Sequence, residues 1–315
     1  MRFFLCFVMV LAFISCVARK PPLPELAPDQ QAVVSQLGLN PLEIRVLEQK
    51  PLYEFTELEL DHYLAYVHAT VPNLRDRVMK FGRKNIGQPY EIFLLGEFPY
   101  ELYDPQPLYS LQKSDCVVFA EHTYAMALSR DWPSFFQTLQ AIRYHNGEIS
   151  VFTRNHYTEA DWNVNNQWLV QDITHELAPQ YVQPFSMEID RQRFFKTRYG
   201  LDREIPKQLV DLEYLPYDKV ESIKTQLQPG DFVNVIVGKK DDHLWATHVG
   251  LVAFGPDGTL HFLHSAKPQV REEPFSAFIQ RYLDNQAERL EKDLPTLRGF
   301  KFLRLVDAPK VSVER

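Results

Sequence analysis

Apolar residues recur at helical spacing through the first half of the chain and at alternate positions through its last third. Thr56-Glu57-Leu58-Glu59 has the spacing of a capping box and predicts a helix to about residue 69. Asn73 caps a second predicted helix, which passes Arg77, Met79, Lys80 and Ile86 and stops at Gly87. A third begins at Cys116 and meets neither Gly nor Pro until Pro133. The period then changes to two. The turn Leu227-Gln228-Pro229-Gly230-Asp231 precedes predicted strands over 232–237, 244–254 and 259–266, with a polar connection at 239–243. A helix over 274–286 and a strand over 300–305 close the pattern. Helices before, antiparallel strands after: the fold class is α+β, with a mixed stretch at 130–225 read as an insertion.

The strand pattern brings two histidines together. Gly255-Pro256-Asp257-Gly258-Thr259 suits a type I turn followed by a left-handed Gly. That turn pairs Gly255 with Thr259, and therefore Gly250 with His264. His248 then shares a sheet face with His264 as its diagonal neighbour. A slip of one residue would send the two rings to opposite faces.

Cys116 stands in Ser114-Asp115-Cys116-Val117-Val118-Phe119-Ala120-Glu121, and either Ser114 or Asp115 can cap its helix. In the first turn the partial positive charge of the helix favours a thiolate, so a pKa below the free value of about 8.5 is expected. A thiol at a helix N-terminus, a His base and a second polar group orienting that base form a nucleophilic constellation, here Cys116, His248 and His264. Zinc is the competing use of His243, His248, His261 and His264. It is disfavoured because His261 faces away from His264 and no carboxylate falls at ligand spacing beside them. No metal and no other cofactor is expected.

The chain ends bear on compartment. Arg2 precedes an unbroken apolar run over 3–14, too short for a membrane span and of export-signal form. Phe13-Ile14-Ser15-Cys16 resembles a lipobox, with Cys16 as the lipidated residue; cleavage after Ala18 is the alternative. Val17, where inner-membrane lipoproteins often carry Asp, points to the outer membrane. Either cut leaves Cys116 as the one free thiol of the mature chain, the pattern of a reactive cysteine. The layout is thus a signal peptide of lipoprotein type over 1–16, a tether and helical segment over 17–54, a catalytic domain over 55–306 and a tail over 307–315. With a net charge of −7, nucleic acid and an anionic lipid surface are excluded as electrostatic partners. Membrane attachment is therefore expected through the lipid alone.

These motifs together resemble the NlpC-like papain-fold cysteine hydrolases of bacterial cell walls. The matching pieces are Gly87-Gln88-Pro89-Tyr90, Asp115-Cys116, Pro229-Gly230-Asp231, His248-Val249-Gly250 and His264-Ser265-Ala266, in that order. The chain is similar in finer detail to the N-acetylmuramoyl-L-alanine amidase-like branch. Asp115-Cys116, Phe119 and Glu121 match there, as do Arg154-Asn155-His156-Tyr157, Asp161-Trp162 and Asn166. Val117-Val118 replaces the usual pair of threonines.

The resemblance implies a papain-like fold, N-terminal helices packed on an antiparallel sheet or barrel. It implies hydrolysis of an amide in peptidoglycan stem peptides or muropeptides in the periplasm. Cys116 carries over as nucleophile, His248 as base and His264 as orienting group, with Tyr90 and Asp115 beside the substrate. Arg154, His156, Tyr157, Asp161 and Trp162 are expected either to line its pocket, for a sugar or a carboxylate-bearing stem, or to form a buried network that anchors the insertion. The bond expected is N-acetylmuramoyl-L-alanine. The γ-D-glutamyl bond to the diamino acid is the alternative, and an idle muropeptide-binding lipoprotein is a reading of another class.

Overall fold

The local signals resolve into the helices they predict. In the computed structural model, which describes residues 23–241 and 243–310, Thr56 caps the helix Glu57–Thr70 and exchanges both capping-box hydrogen bonds with Glu59. Asn73 accepts from the N–H groups of Arg75 and Asp76 at the start of Leu74–Lys84. Asp115, of the two candidates, caps Cys116–Leu128 by accepting from Val118 N–H at 2.9 Å. A cap of this kind contributes about 1 kcal/mol. Two further helices, Pro28–Gln36 and Pro41–Gln49, each start with Pro in the first turn, where its missing N–H costs nothing. The export signal and Cys16 lie outside the described residues, as do residues 311–315 of the tail.

Eight strands form one antiparallel sheet: β1 (Val170–Asp172), β2 (Gln183–Ile189), β3 (Gln208–Pro216), β4 (Phe232–Gly238), β5 (Leu244–Phe254), β6 (Leu260–Ala266), β7 (Gln269–Pro274) and β8 (Thr296–Leu305). Their order is β2-β3-β8-β4-β5-β6-β7, with β1 also paired to β8. The 130–225 stretch is therefore woven into the sheet through β1 and β3. It also carries the helices Trp132–Arg143 and Arg191–Tyr199.

The sheet separates two cores. Val249, Leu251 and Leu263 meet the Cys116 helix through Phe119 and Ala120 on one face. Val252, Phe262, Phe275, Phe278, Phe300 and Phe302 fill the other. The period-two alternation of β5 and β6 is thus obeyed on two buried faces. The Pro229-Gly230-Asp231 turn is a fastening point: buried Asp231 accepts from Arg75 and Arg304, each at 3.0 Å, and Gly230 takes a φ of 82°. Among the described residues no helix is long and apolar enough to cross a membrane.

Candidate active site

The hairpin between β5 and β6 forms in the predicted register. Gly255 N–H donates to Thr259 O at 2.9 Å, and Leu251 stands opposite Leu263, which sets Gly250 against His264. A Cβ on Gly250 would lie 2.6 Å from Phe262 and 2.8 Å from the Cβ of His264, so only glycine lets these side chains close over the strand. A bulge at Thr247 breaks the β4 pairing, with Val235 opposite His248 and Ile236 opposite Ala246. Bulges bend a strand and redirect its side chains, and this one adjoins His248.

His248 and His264 project from the same face, and His248 Nε2 lies 2.7 Å from His264 Nδ1. His264 is fully buried, and its Nε2 donates to Glu273 Oε1 at 2.8 Å. Glu273 is held in turn by Arg271 at 3.0 Å and by Arg281. An acceptor-only carboxylate demands a proton on His264 Nε2, which leaves Nδ1 as a lone pair. His248 must then donate from Nε2, and its Nδ1 is left unprotonated. Both rings are neutral by environment. Burial holds His248 well below its ordinary value, and burial also lowers His264 against the opposing pull of Glu273. The rings pack on Phe278, and His264 also stacks on Phe262 at 4.6 Å.

Cys116 occupies the first position of its helix and shares with Thr247 and His248 a cleft of about 390 Å³. The backbone N–H groups of Val249, Val117 and Cys116 itself favour the thiolate, yet burial prevails and pushes the thiol up to about 12, with Asp115 adding to the rise. The helix-start expectation of a lowered value is reversed by desolvation. At rest the cysteine and its neighbour are a neutral thiol and a neutral imidazole. Tyr90 lines the cleft beside them, its phenol pushed up to about 12, by burial above all.

The chain belongs to the N-acetylmuramoyl-L-alanine amidase-like (AmiA-like) family, whose description matches residues 80–287. That span contains Cys116, His248, His264 and Glu273. The fold is shared with a Legionella pneumophila protein at a TM-score of 0.67 and 20% identity, covering 82% of this chain and 98% of that one. A Bacteroides uniformis N-acetylmuramoyl-L-alanine amidase matches at 0.54 and 21%, covering 74% and 99%. No curated protein matches the chain.

The branch-specific residues of this AmiA-like protein divide between pocket and core. Trp162 is a correction. It is 1% exposed, stacks on Phe232 at 4.3 Å and donates from Nε1 to Glu121 Oε1 at 3.1 Å. Glu121 also pairs with Arg143 at 3.3 Å, so Trp162 and Glu121 tie the Cys116 helix to β4 and never reach substrate. Arg154 borders the cleft, but its guanidinium is taken by Glu97 at 3.2 Å, Asp104 at 2.9 Å and Leu95 O at 3.0 Å. It anchors the aromatic loop and has no charge left over for a ligand carboxylate. His156 borders the cleft as a neutral ring, donating from Nε2 to Val151 O at 2.7 Å and lowered to about 3 by burial. Tyr157 and Asp161 line an adjoining cavity of about 180 Å³, and the Cys116 cleft does not include them. Asp161 pairs there with Arg191 and accepts from Tyr157 N–H at 3.0 Å.

Three contributors escape sequence reasoning. Glu273 sits in a strand with no apolar alternation, diagonal to His264 across the β6–β7 ladder, in which His264 faces Arg271. Phe194 and Arg198, from the helix Arg191–Tyr199, form the far wall of the cleft, where Arg198 lies 4.0 Å over the Phe93 ring. An Arg and a Phe in a polar helix give no local sign of that role. His261 faces away from His264, as the alternation requires, and pairs with Glu272 at 3.1 Å.

Proposed function

We propose that this protein is a papain-type cysteine amidase of the NlpC-like superfamily that hydrolyses muropeptides between N-acetylmuramic acid and L-alanine. The observation that carries this reading is the His248–His264–Glu273 hydrogen-bond chain, whose directions leave Nδ1 unprotonated on a ring that lines the same cleft as Cys116. Cys116 Sγ attacks the amide carbonyl as its proton passes to His248 Nδ1. The oxyanion is held by N–H groups at the helix start with help from Tyr90. His248 then protonates the departing amine, a thioester remains on Cys116, and water activated by His248 releases the acid and restores the thiol. A neutral pair suits this order, because the proton moves during attack and not before it. The N-terminal pattern supports export and a lipid anchor on Cys16 at the outer membrane, with muropeptides met in the periplasm.

Mass spectrometry of digested muropeptides tests the reaction. Release of the intact stem peptide from the sugar is the expected product. A sugar still carrying a dipeptide would mean the γ-D-glutamyl bond instead, and no product at all would leave a binding protein.

A further inference from the structure

A further cavity, of about 360 Å³, shares Thr247 with the Cys116 cleft. Its walls include Thr247, Tyr282, Asn285, Arg281, Arg289 and Pro295, and among the described residues no carboxylate lines it. The two cations differ. Arg281 is already spent on Glu273, with Nη2 at 2.6 Å from Oε1. Arg289 is tethered only through Nε, which donates to Pro295 O at 2.6 Å. Among the described residues Arg289 forms no ion pair, although Glu288 and Glu291 are close in sequence; Glu288 pairs with Lys292. The Tyr282 hydroxyl has no hydrogen-bond partner among the described residues. Burial raises its pKa, and the Arg289 and Arg281 charges oppose the rise. A half-buried guanidinium with a free fork, beside an unpartnered phenol and an amide, is built for a bidentate anion.

We propose that this cavity is a carboxylate subsite in which Arg289, with Tyr282 and Asn285, holds an acidic group of the peptide on the amine side of the scissile bond. The assignment rests on the amidase reading. In that reaction His248 delivers the proton to the departing amine, so the amine part leaves past His248 and Thr247. The acyl part stays in the cleft of Cys116, Tyr90 and Asp115. The peptide stem is the carboxylate-bearing half of the substrate, and it meets Arg289 on this side.

Steady-state kinetics of the full chain test it, using one muropeptide with free stem-peptide carboxylates and one with those carboxylates amidated. Arg289→Gln should raise KM for the acid about tenfold to a hundredfold, leave kcat within about twofold, and make little difference to the amidated substrate. Arg289→Lys, which keeps the charge but loses the fork, should fall between. Equal losses on both substrates would mean that Arg289 only supports the fold through Pro295, and an unchanged KM for the acid would equally overturn the subsite. If the native chain cuts neither substrate, the amidase reading fails and the subsite falls with it.

Discussion

His248 Nε2 and His264 Nδ1 are 2.7 Å apart, and the direction of that hydrogen bond is set by a third residue, Glu273, which touches neither the thiol nor the cleft. Glu273→Gln tests this directly. A glutamine can turn its amide and donate to His264 Nε2, which permits the reversed chain: His264 Nδ1 then donates to His248 Nε2, and His248 Nδ1 carries a proton and cannot accept one. We expect kcat to fall about a hundredfold with KM nearly unchanged, the pattern of a misplaced base. An unaltered kcat would show that His248 keeps its orientation without the carboxylate.

Cys116 should resist alkylation near neutrality. Burial sets its thiol at about 12, so the thiolate fraction in the ligand-free protein is small at pH 7 and grows only on the alkaline side. Iodoacetamide labelling of Cys116, followed by peptide mass spectrometry from pH 6 to 10, should rise without a plateau. A midpoint at or below the free value of about 8.5 would restore the activation expected of a helix N-terminus.

Gly250→Ala places a methyl group against Phe262 and His264 at 2.6–2.8 Å. Overpacking of this kind costs about 1–3 kcal/mol. Because the displaced ring orients the base, activity should drop further than the loss of folded protein explains. Comparing specific activity with the thermal midpoint separates the two effects.

Acid should destabilise the fold through its buried histidines. Burial lowers His122 and His156 to about 3 and holds His248 and His264 below their ordinary value. In the unfolded chain each titrates near 6.5, so the unfolded state binds more protons below that pH. The stability is complete above about 6.5 and is lost as pH falls toward the folded values. For His122 and His156 the loss at pH 5 is about 2 kcal/mol each. Glu121 and Glu159, raised to about 7 by burial, act in the opposite sense over the same range, so urea unfolding at pH 7.5 and 5 is compared between the native chain and His122→Asn; a pH dependence unchanged by the substitution would contradict the burial of a neutral His122.

Trp162→Ala should lower stability by about 3–5 kcal/mol through lost packing on Phe232. In the protein that remains folded, KM for a muropeptide should be close to native. A large rise in KM with an intact midpoint would return Trp162 to the substrate pocket.

Much of this was legible because it is local. Thr56, Asn73 and Asp115 each carry a cap within three residues, and Pro256 with Gly258 sets the β5–β6 register without outside help. From that register the pairing of His248 with His264 follows by counting. Glu273 could not be counted to, since β7 is a short charged run whose register depends on the Lys267-Pro268 turn. Trp162 and Glu121 were visible as a motif, but a polar-aromatic pair looks the same in a pocket as in a core. What separates the cases is Phe232, some 70 residues away in sequence. The sign of the Cys116 shift was missed for a related reason: a helix start is written in the sequence, and dryness is a property of everything packed around it.

The proposed nucleophile and its proposed base are also rooted in different halves of the molecule. Cys116 packs with the core beneath its helix, while His248 and His264 belong to the phenylalanine core across the sheet. Neither half alone can hold a working pair, so a chain with one side melted is chemically silent even where the other side is intact. If turnover runs through this pair as proposed, it serves as a built-in proofreading signal for the completed sheet, and its loss under gentle denaturation should run ahead of any probe that watches a single core.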